Sequence, residues 1–129
     1  MTTIQRLDHV NILTANLDDM IAWYGDILDL HPGHRPPFTP PGAWLYANGI
    51  PCVHLVDVAA QPETKAPKIE HFAFAATGLP EFLAKLTDRG IAYTVDEVPE
   101  TPLLQVNIAD LDGNHIHVDF ASQERSAEN

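Results

Sequence analysis

Apolar and polar residues alternate over Ile4–Leu13, which predicts a strand with His9 and Asn11 on one face and Val10 and Ile12 on the other. From Leu17 the period lengthens. Leu17, Met20, Ile21 and Tyr24 share one helix face, and the helix is expected to run to about Asp29. Asn16 is its candidate N-cap, and Asp18 and Asp19 complement the helix dipole in the first turn. His31–Pro41 holds too many prolines for a central strand and reads as an irregular edge strand and loop. Ala43–Ala47 and Cys52–Val58 alternate again around Asn48-Gly49, a two-residue hairpin signal. Ala59–Pro67 is polar, carries two prolines and reads as a linker. The same order then returns: a strand over Ile69–Ala76, a helix that Thr77-Gly78-Leu79-Pro80 opens and Gly90 closes, and strands over Ile91–Val98, Leu103–Ala109 and Asn114–Phe120. Asp112-Gly113 marks the last hairpin turn, and Ser122–Asn129 reads as a frayed tail.

The return is residue by residue. Leu7-Asp8-His9-Val10-Asn11-Ile12 and Ile69-Glu70-His71-Phe72-Ala73-Phe74 share one pattern, with the histidines 62 positions apart. His54 and His117 repeat at an offset of 63, and the helix stripe recurs as Leu79, Phe82, Leu83 and Leu86. The turn glycines Gly49 and Gly113 are 64 apart, so a bulge or a different hairpin loop must absorb one residue. The expected fold class is α+β: two tandem βαβββ modules with mixed or antiparallel sheets. Module one covers about 4–58, the linker 59–67, module two 68–121 and a polar tail 122–129. Helices on one side leave each sheet's other face free to curl into a trough with histidines at its base. Imidazole brought twice to the same place predicts a metal site.

Composition narrows the functions. A length of 129 residues, 45% of them hydrophobic, is one domain's worth of chain. Seven basic residues against 18 acidic ones, net charge −11, argue against a nucleic acid partner and an anionic membrane surface. No apolar run is long enough to span a bilayer, the N-terminus lacks the shape of a signal peptide, and the single Cys52 has no intrachain partner; cytoplasmic residence is expected. Asn11, Arg35, Phe38, Trp44, Tyr46 and Asn107 are candidate substrate-pocket residues, although aromatic strand residues are more often core. His31, His34 and His115 are expected at the surface, Cys52 as a small buried apolar residue, and Trp23, off the helix stripe, at a packing interface.

The paired units, the opening Leu7-Asp8-His9-Val10-Asn11 and the ending Asp110-Leu111-Asp112-Gly113-Asn114-His115-Ile116-His117-Val118-Asp119-Phe120 resemble the vicinal oxygen chelate superfamily. It includes glyoxalase I, extradiol dioxygenases, fosfomycin-resistance enzymes and bleomycin-binding proteins. The resemblance covers Ile4–Phe120 and implies a divalent metal (Fe, Zn, Ni, Co or Mn) held by His9, His71, His117 and His54. The family usually has glutamate at the place of His117; Asp119 lies two residues on, on the same face. His54 and His117 are also the candidate catalytic residues, His54 standing either as a fourth ligand or as a general acid/base. The resemblance implies a metal-dependent lyase or isomerase of glyoxalase type, acting on a small substrate through two neighbouring oxygens. Two alternatives stand beside it: an iron(II) ring-cleaving dioxygenase, against which Asn107 replaces a usual tyrosine, and a drug-binding protein without turnover, which the acidic balance suits. A homodimer is also implied.

Overall fold

The computed structural model describes residues 1–128. The chain divides into two units, 1–63 and 64–129, each holding one four-stranded sheet.

In the first unit β1 (Val10–Thr14) leads into α1 (Leu17–Leu28), followed by β2 (His31–Pro32), β3 (Gly42–Ala47) and β4 (Ile50–Asp57). The sheet order is β1-β4-β3-β2, with β1 parallel to β4 and the other pairs antiparallel. The second unit repeats this with β5 (His71–Ala75), α2 (Leu79–Asp88), β6 (Thr94–Glu97), β7 (Leu103–Ala109) and β8 (His115–Ala121), in the order β5-β8-β7-β6. The α+β expectation with two modules therefore holds, and each sheet is mixed because its first strand runs parallel to its last.

Period-two alternation decides the faces. Ala43, Leu45, Val53 and Leu55 are buried with Met20, Trp23, Tyr24 and Ile27 of α1, so the intervening Trp44 and His54 fall on the opposite sheet face. In the second unit Leu104, Val106, Ile116, Val118 and Phe120 are buried with Leu79 and Leu86, so Asn107 and His117 take the opposite face. Trp23 belongs to the first core rather than to an exposed packing surface: it is 7% exposed and meets the Tyr24 ring edge-on at 5.1 Å.

The one-residue mismatch between the halves has two sources. Asn48 and Gly49 both have positive φ (49° and 77°), as a two-residue type I′ turn requires, and β3–β4 then slips by one residue at Leu45/Tyr46. Cys52 is the extra residue, beside Pro51, which supplies no N–H to a ladder. The β7–β8 ladder is unbroken and closes through the longer loop Asp110–Asn114.

Four segments depart from the sequence reading. Residues 4–9 and 69–70 form no strand, and Ile4, Leu7 and Ile69 are 84%, 78% and 81% exposed; the parallel ladders begin only at Val10↔Val53 and His71↔His115. The sixth strand is confined to Thr94–Glu97, the stretch that pairs with β7. The tail is not frayed through residue 128: Ser122–Glu128 is a 3₁₀ helix, while Asn129 lies outside the described residues. Glu124 explains its docking. One of its carboxylate oxygens accepts the Gly78 and Leu79 N–H groups at 2.8 and 3.0 Å, capping α2 where Gly78 has no side chain to do so.

Candidate metal and substrate site

Each unit builds the same small constellation. A carboxylate precedes the first histidine and holds its Nδ1: Asp8 on His9 at 2.7 Å, and Glu70 on His71. That fixes the ring and directs Nε2 elsewhere, the arrangement that orients metal-ligating imidazoles. The first histidine then stacks on the histidine of the last strand. His9 lies 3.9 Å from His54 with 13° between planes, and His71 lies 3.9 Å from His117 with the same 13°. The registers explain the match. Asn11↔His54↔Trp44 is one lateral row in the first sheet, and Ala73↔His117↔Asn107 is its counterpart in the second.

The hydrogen bonds of both carboxylates to their histidines hold Asp8 and Glu70 below their ordinary pKa. His54 and His117 are themselves buried, and their pKa values are lowered, first by desolvation and then by the neighbouring imidazoles. Both are therefore neutral near pH 7, the state that a metal ligand or general base needs. In His54, Nε2–H donates to the Pro51 carbonyl at 3.0 Å, so Nδ1 carries the lone pair.

In the second unit His71, His115 and His117 each bring a nitrogen within 4.8 Å of the others, a spacing that can hold one cation. Nδ1 of His117 is buried without a hydrogen bond among the described residues. A cation would relieve such an orphan, so the donor set fits a divalent metal. His115, expected at the surface, is only partly exposed and is drawn into this cluster. Its Nδ1 meets Glu70 at 2.6 Å and its Nε2 meets the Asn107 carbonyl oxygen at 3.1 Å. Asn107 in turn donates to Asp96 at 2.9 Å, which fixes its amide orientation. With both nitrogens used, His115 can ligate only by giving up one partner, so spacing overstates its availability; His71 and His117 are the freer pair. Asp119 stays two places along β8, opposite Ala75 and Gln105, with Oδ1 buried and without a hydrogen bond among the described residues.

The first unit holds an open concavity of about 490 Å³ whose walls include His9, His54, Asn11, Trp44, Arg35 and Phe38. Trp44 stacks on His54 at 4.2 Å and 11°, giving a three-ring column with His9. Tyr46 is not among the lining residues. Its hydroxyl donates to the His34 carbonyl at 2.6 Å and ties down the Pro-rich segment. Asn107 lies in the second unit, within the His115 network. His31 pairs with Asp29 at 2.8 Å on the surface, and His34 is exposed. Cys52 is half-buried, and burial pushes its thiol pKa up, away from reactive thiolate.

One residue that the sequence pattern did not single out holds β8 in place. Asp110 is 6% exposed, and its Oδ1 accepts the N–H groups of Asp112 and Asn114 at 3.0 Å each. Its Oδ2 accepts from the Asn114 side-chain amide at 2.9 Å. The available signal was an aspartate four residues before an asparagine in a Gly-containing turn, the composition of a side-chain-closed loop.

The family model for the Glyoxalase/Bleomycin resistance protein/Dioxygenase superfamily matches residues 6–118. A curated protein described as Glyoxylase I 4 from Arabidopsis thaliana is 32% identical over an alignment of 94 residues that covers 67% of this chain and 53% of that protein. The chain thus spans about half the length of this curated relative. A glyoxalase family protein from Bacillus anthracis superposes with a TM-score of 0.76 at 21% identity, covering 94% of this chain and 98% of that one. A fosfomycin resistance protein from Listeria monocytogenes superposes at 0.70 and 13% identity, covering 95% and 98%. At these identities the solved structures speak for the fold alone.

Proposed function

From the premise that this chain belongs to the Glyoxalase/Bleomycin resistance protein/Dioxygenase superfamily, we propose that it is a metal-dependent enzyme of glyoxalase type. It acts as a lyase or isomerase on a small substrate with two neighbouring oxygens. The observation that carries this reading is the repeated carboxylate–histidine–histidine constellation, Asp8–His9–His54 and Glu70–His71–His117. The residues assigned to the metal are His71 and His117 in the second unit and His9 in the first; His54 is either a further ligand or, with its one free lone pair left unbound, the general acid/base. When bound, a zinc, nickel, cobalt, iron or manganese ion would supply Lewis acidity to the substrate's oxygens.

The chain's own groups do the rest. Asp8 and Glu70 hold the first histidines in one tautomer and orientation. His54 is neutral, with its Nδ1 lone pair facing away from the Pro51 bond, and is the group placed to take a proton and return it. Trp44 covers one face of that ring and limits water there. Neutral imidazole at 117 in place of a carboxylate leaves more positive charge at the metal.

Oxygen dependence tests the reaction class. The reading expects anaerobic turnover of a dicarbonyl–thiol adduct with zinc, nickel or cobalt, and no oxygen uptake with catechols after iron(II) loading. Asn107 has its amide committed to His115 and Asp96 and offers no phenol to a ring-cleaving reaction. Rapid catechol-dependent oxygen consumption, lost in His54→Ala, would replace the lyase assignment with a dioxygenase.

We assign the protein to the cytoplasm; no described helix is long and apolar enough to cross a membrane. We also propose a homodimer. Its support is the pair of sheet edges at β1 and β5 and the exposed Ile4, Leu7 and Ile69 near them. Sedimentation should give a dimer at micromolar concentration, and a monomer throughout would refute it.

A further inference from the structure

Arg35 is an arginine without a carboxylate partner among the described residues. The chain has 18 acidic residues against seven basic ones, yet the only hydrogen bond of the Arg35 guanidinium among the described residues runs from Nη2 to the Pro40 carbonyl at 3.1 Å. Nε is buried and unbonded. The group also packs against its neighbours. It lies 5.5 Å from the Phe38 ring centroid, and a Cβ on Gly42 would come within 3.0 Å of its Nη2. A half-buried guanidinium with most of its N–H donors unused is costly unless an acceptor completes it. Asp8, the carboxylate in the same wall, is already shared between Arg6 at 3.1 Å and His9 at 2.7 Å.

The neighbouring surface is aromatic. Trp44 and Phe38 stand 6.1 Å apart at 42°, and the Trp44 ring continues the His54–His9 column. A guanidinium fork matches a planar carboxylate in two parallel hydrogen bonds, and one unpaired cation suits a monoanion better than a phosphate dianion. A concavity of about 490 Å³ lies within the range of small-ligand sites.

We propose that this concavity takes a small planar organic carboxylate, its carboxylate on Arg35 and its flat body against Trp44 and Phe38. The inference rests on the reading of His9 and His54 as the reacting end of the same pocket, and it names the substrate class for that reading.

The test uses benzoate as probe on the full-length protein, as purified and again after EDTA treatment. The indole N–H signals of Trp44 and Trp23 are followed by NMR. Benzoate should shift the Trp44 signal saturably and leave that of the buried Trp23 in place, in both samples. Benzamide, of the same shape without the charge, should bind at least about ten-fold more weakly, as should cyclohexanecarboxylate, which keeps the charge but is not flat. Arg35→Gln should weaken benzoate at least about ten-fold, and Arg35→Lys by less, since it keeps the charge and loses the fork. No saturable shift, or equal binding of benzoate and benzamide by the wild type, overturns the proposal without requiring any variant to fold. Equal binding of cyclohexanecarboxylate removes the planar requirement and overturns it also. A failure of the metal reading appears in metal analysis and leaves the titration of EDTA-treated protein unchanged, so the two failures are separable.

Discussion

His117→Leu is expected to lower metal affinity by on the order of 100-fold or more while leaving the metal-free protein folded. His117 is 8% exposed between Ile116 and Val118 on the central part of β8, so an apolar side chain of similar size is tolerated there. The imidazole's Nδ1 has no hydrogen bond to lose, so the metal-free variant should be as stable as the wild type or slightly more so. The loss shows only with metal present. At a metal concentration 100 times the wild-type Kd, binding stabilises the fold by about 2.7 kcal/mol, and the Leu variant should forgo most of that. His117→Glu should restore a carboxylate ligand and retain metal, with a changed metal preference.

The same series carries a pH signature. The folded-state pKa of His117 is depressed, so its neutral form favours the folded state. That contribution is complete above the ordinary value of 6.5 and is lost as pH falls through the lower folded value. The metal-free wild type should therefore lose stability on acidification below 6.5, and His117→Leu should lose less. Urea titrations with and without zinc, read with metal analysis, check each part. Equal metal content in the wild type and the Leu variant would remove His117 from the coordination shell.

Asp110→Ala is expected to cost about 2–4 kcal/mol, the largest effect of a single substitution away from the core. Asp110 is buried and takes three hydrogen bonds from the loop it closes, two of them from backbone N–H groups. Alanine would leave those part-buried donors without this acceptor. Asp110→Asn keeps one acceptor oxygen and should cost roughly half as much. The effect should reach the histidines, because the loop ends at Asn114 and His115 opens the strand that carries His117. Weaker zinc binding should accompany the fall in urea midpoint. Unchanged stability in the Ala variant would mean that the loop is held by its backbone bonds alone, Asp110 N–H to Asn114 and Gly113 N–H to Asp110.

Much of this protein is legible in its sequence for local reasons. Alternation with period two sorted the faces of the opening strand, and Val10 and Ile12 are indeed more buried than His9 and Asn11. The helical stripe announced Met20 and Tyr24, and Leu79 and Leu86, as core. Asn48-Gly49 specified its turn because both positions need positive φ. The repeat told that histidines would recur in equivalent places, and they do: His9 beside His54, His71 beside His117.

What depended on tertiary structure involves partners distant in sequence. The parallel pairings of β1 with β4 and of β5 with β8 set where each first strand begins, and they left Ile4, Leu7 and Ile69 exposed although their pattern is that of a strand. Trp23 lies off the expected stripe and is still buried, because the buried face of α1 is rotated to Met20, Trp23, Tyr24 and Ile27, while Leu17 and Ile21 are only half-buried. The polar composition of the tail gave no sign that Glu124 would reach the N-terminus of α2, more than forty residues earlier in the chain. His115 looked like a surface residue at a strand end until Glu70 and Asn107 were brought to its two nitrogens. Periodicity determines the face on which a side chain emerges. Only the packing of distant strands decides which side chains it meets there, and with them its tautomer, its charge and its chemistry.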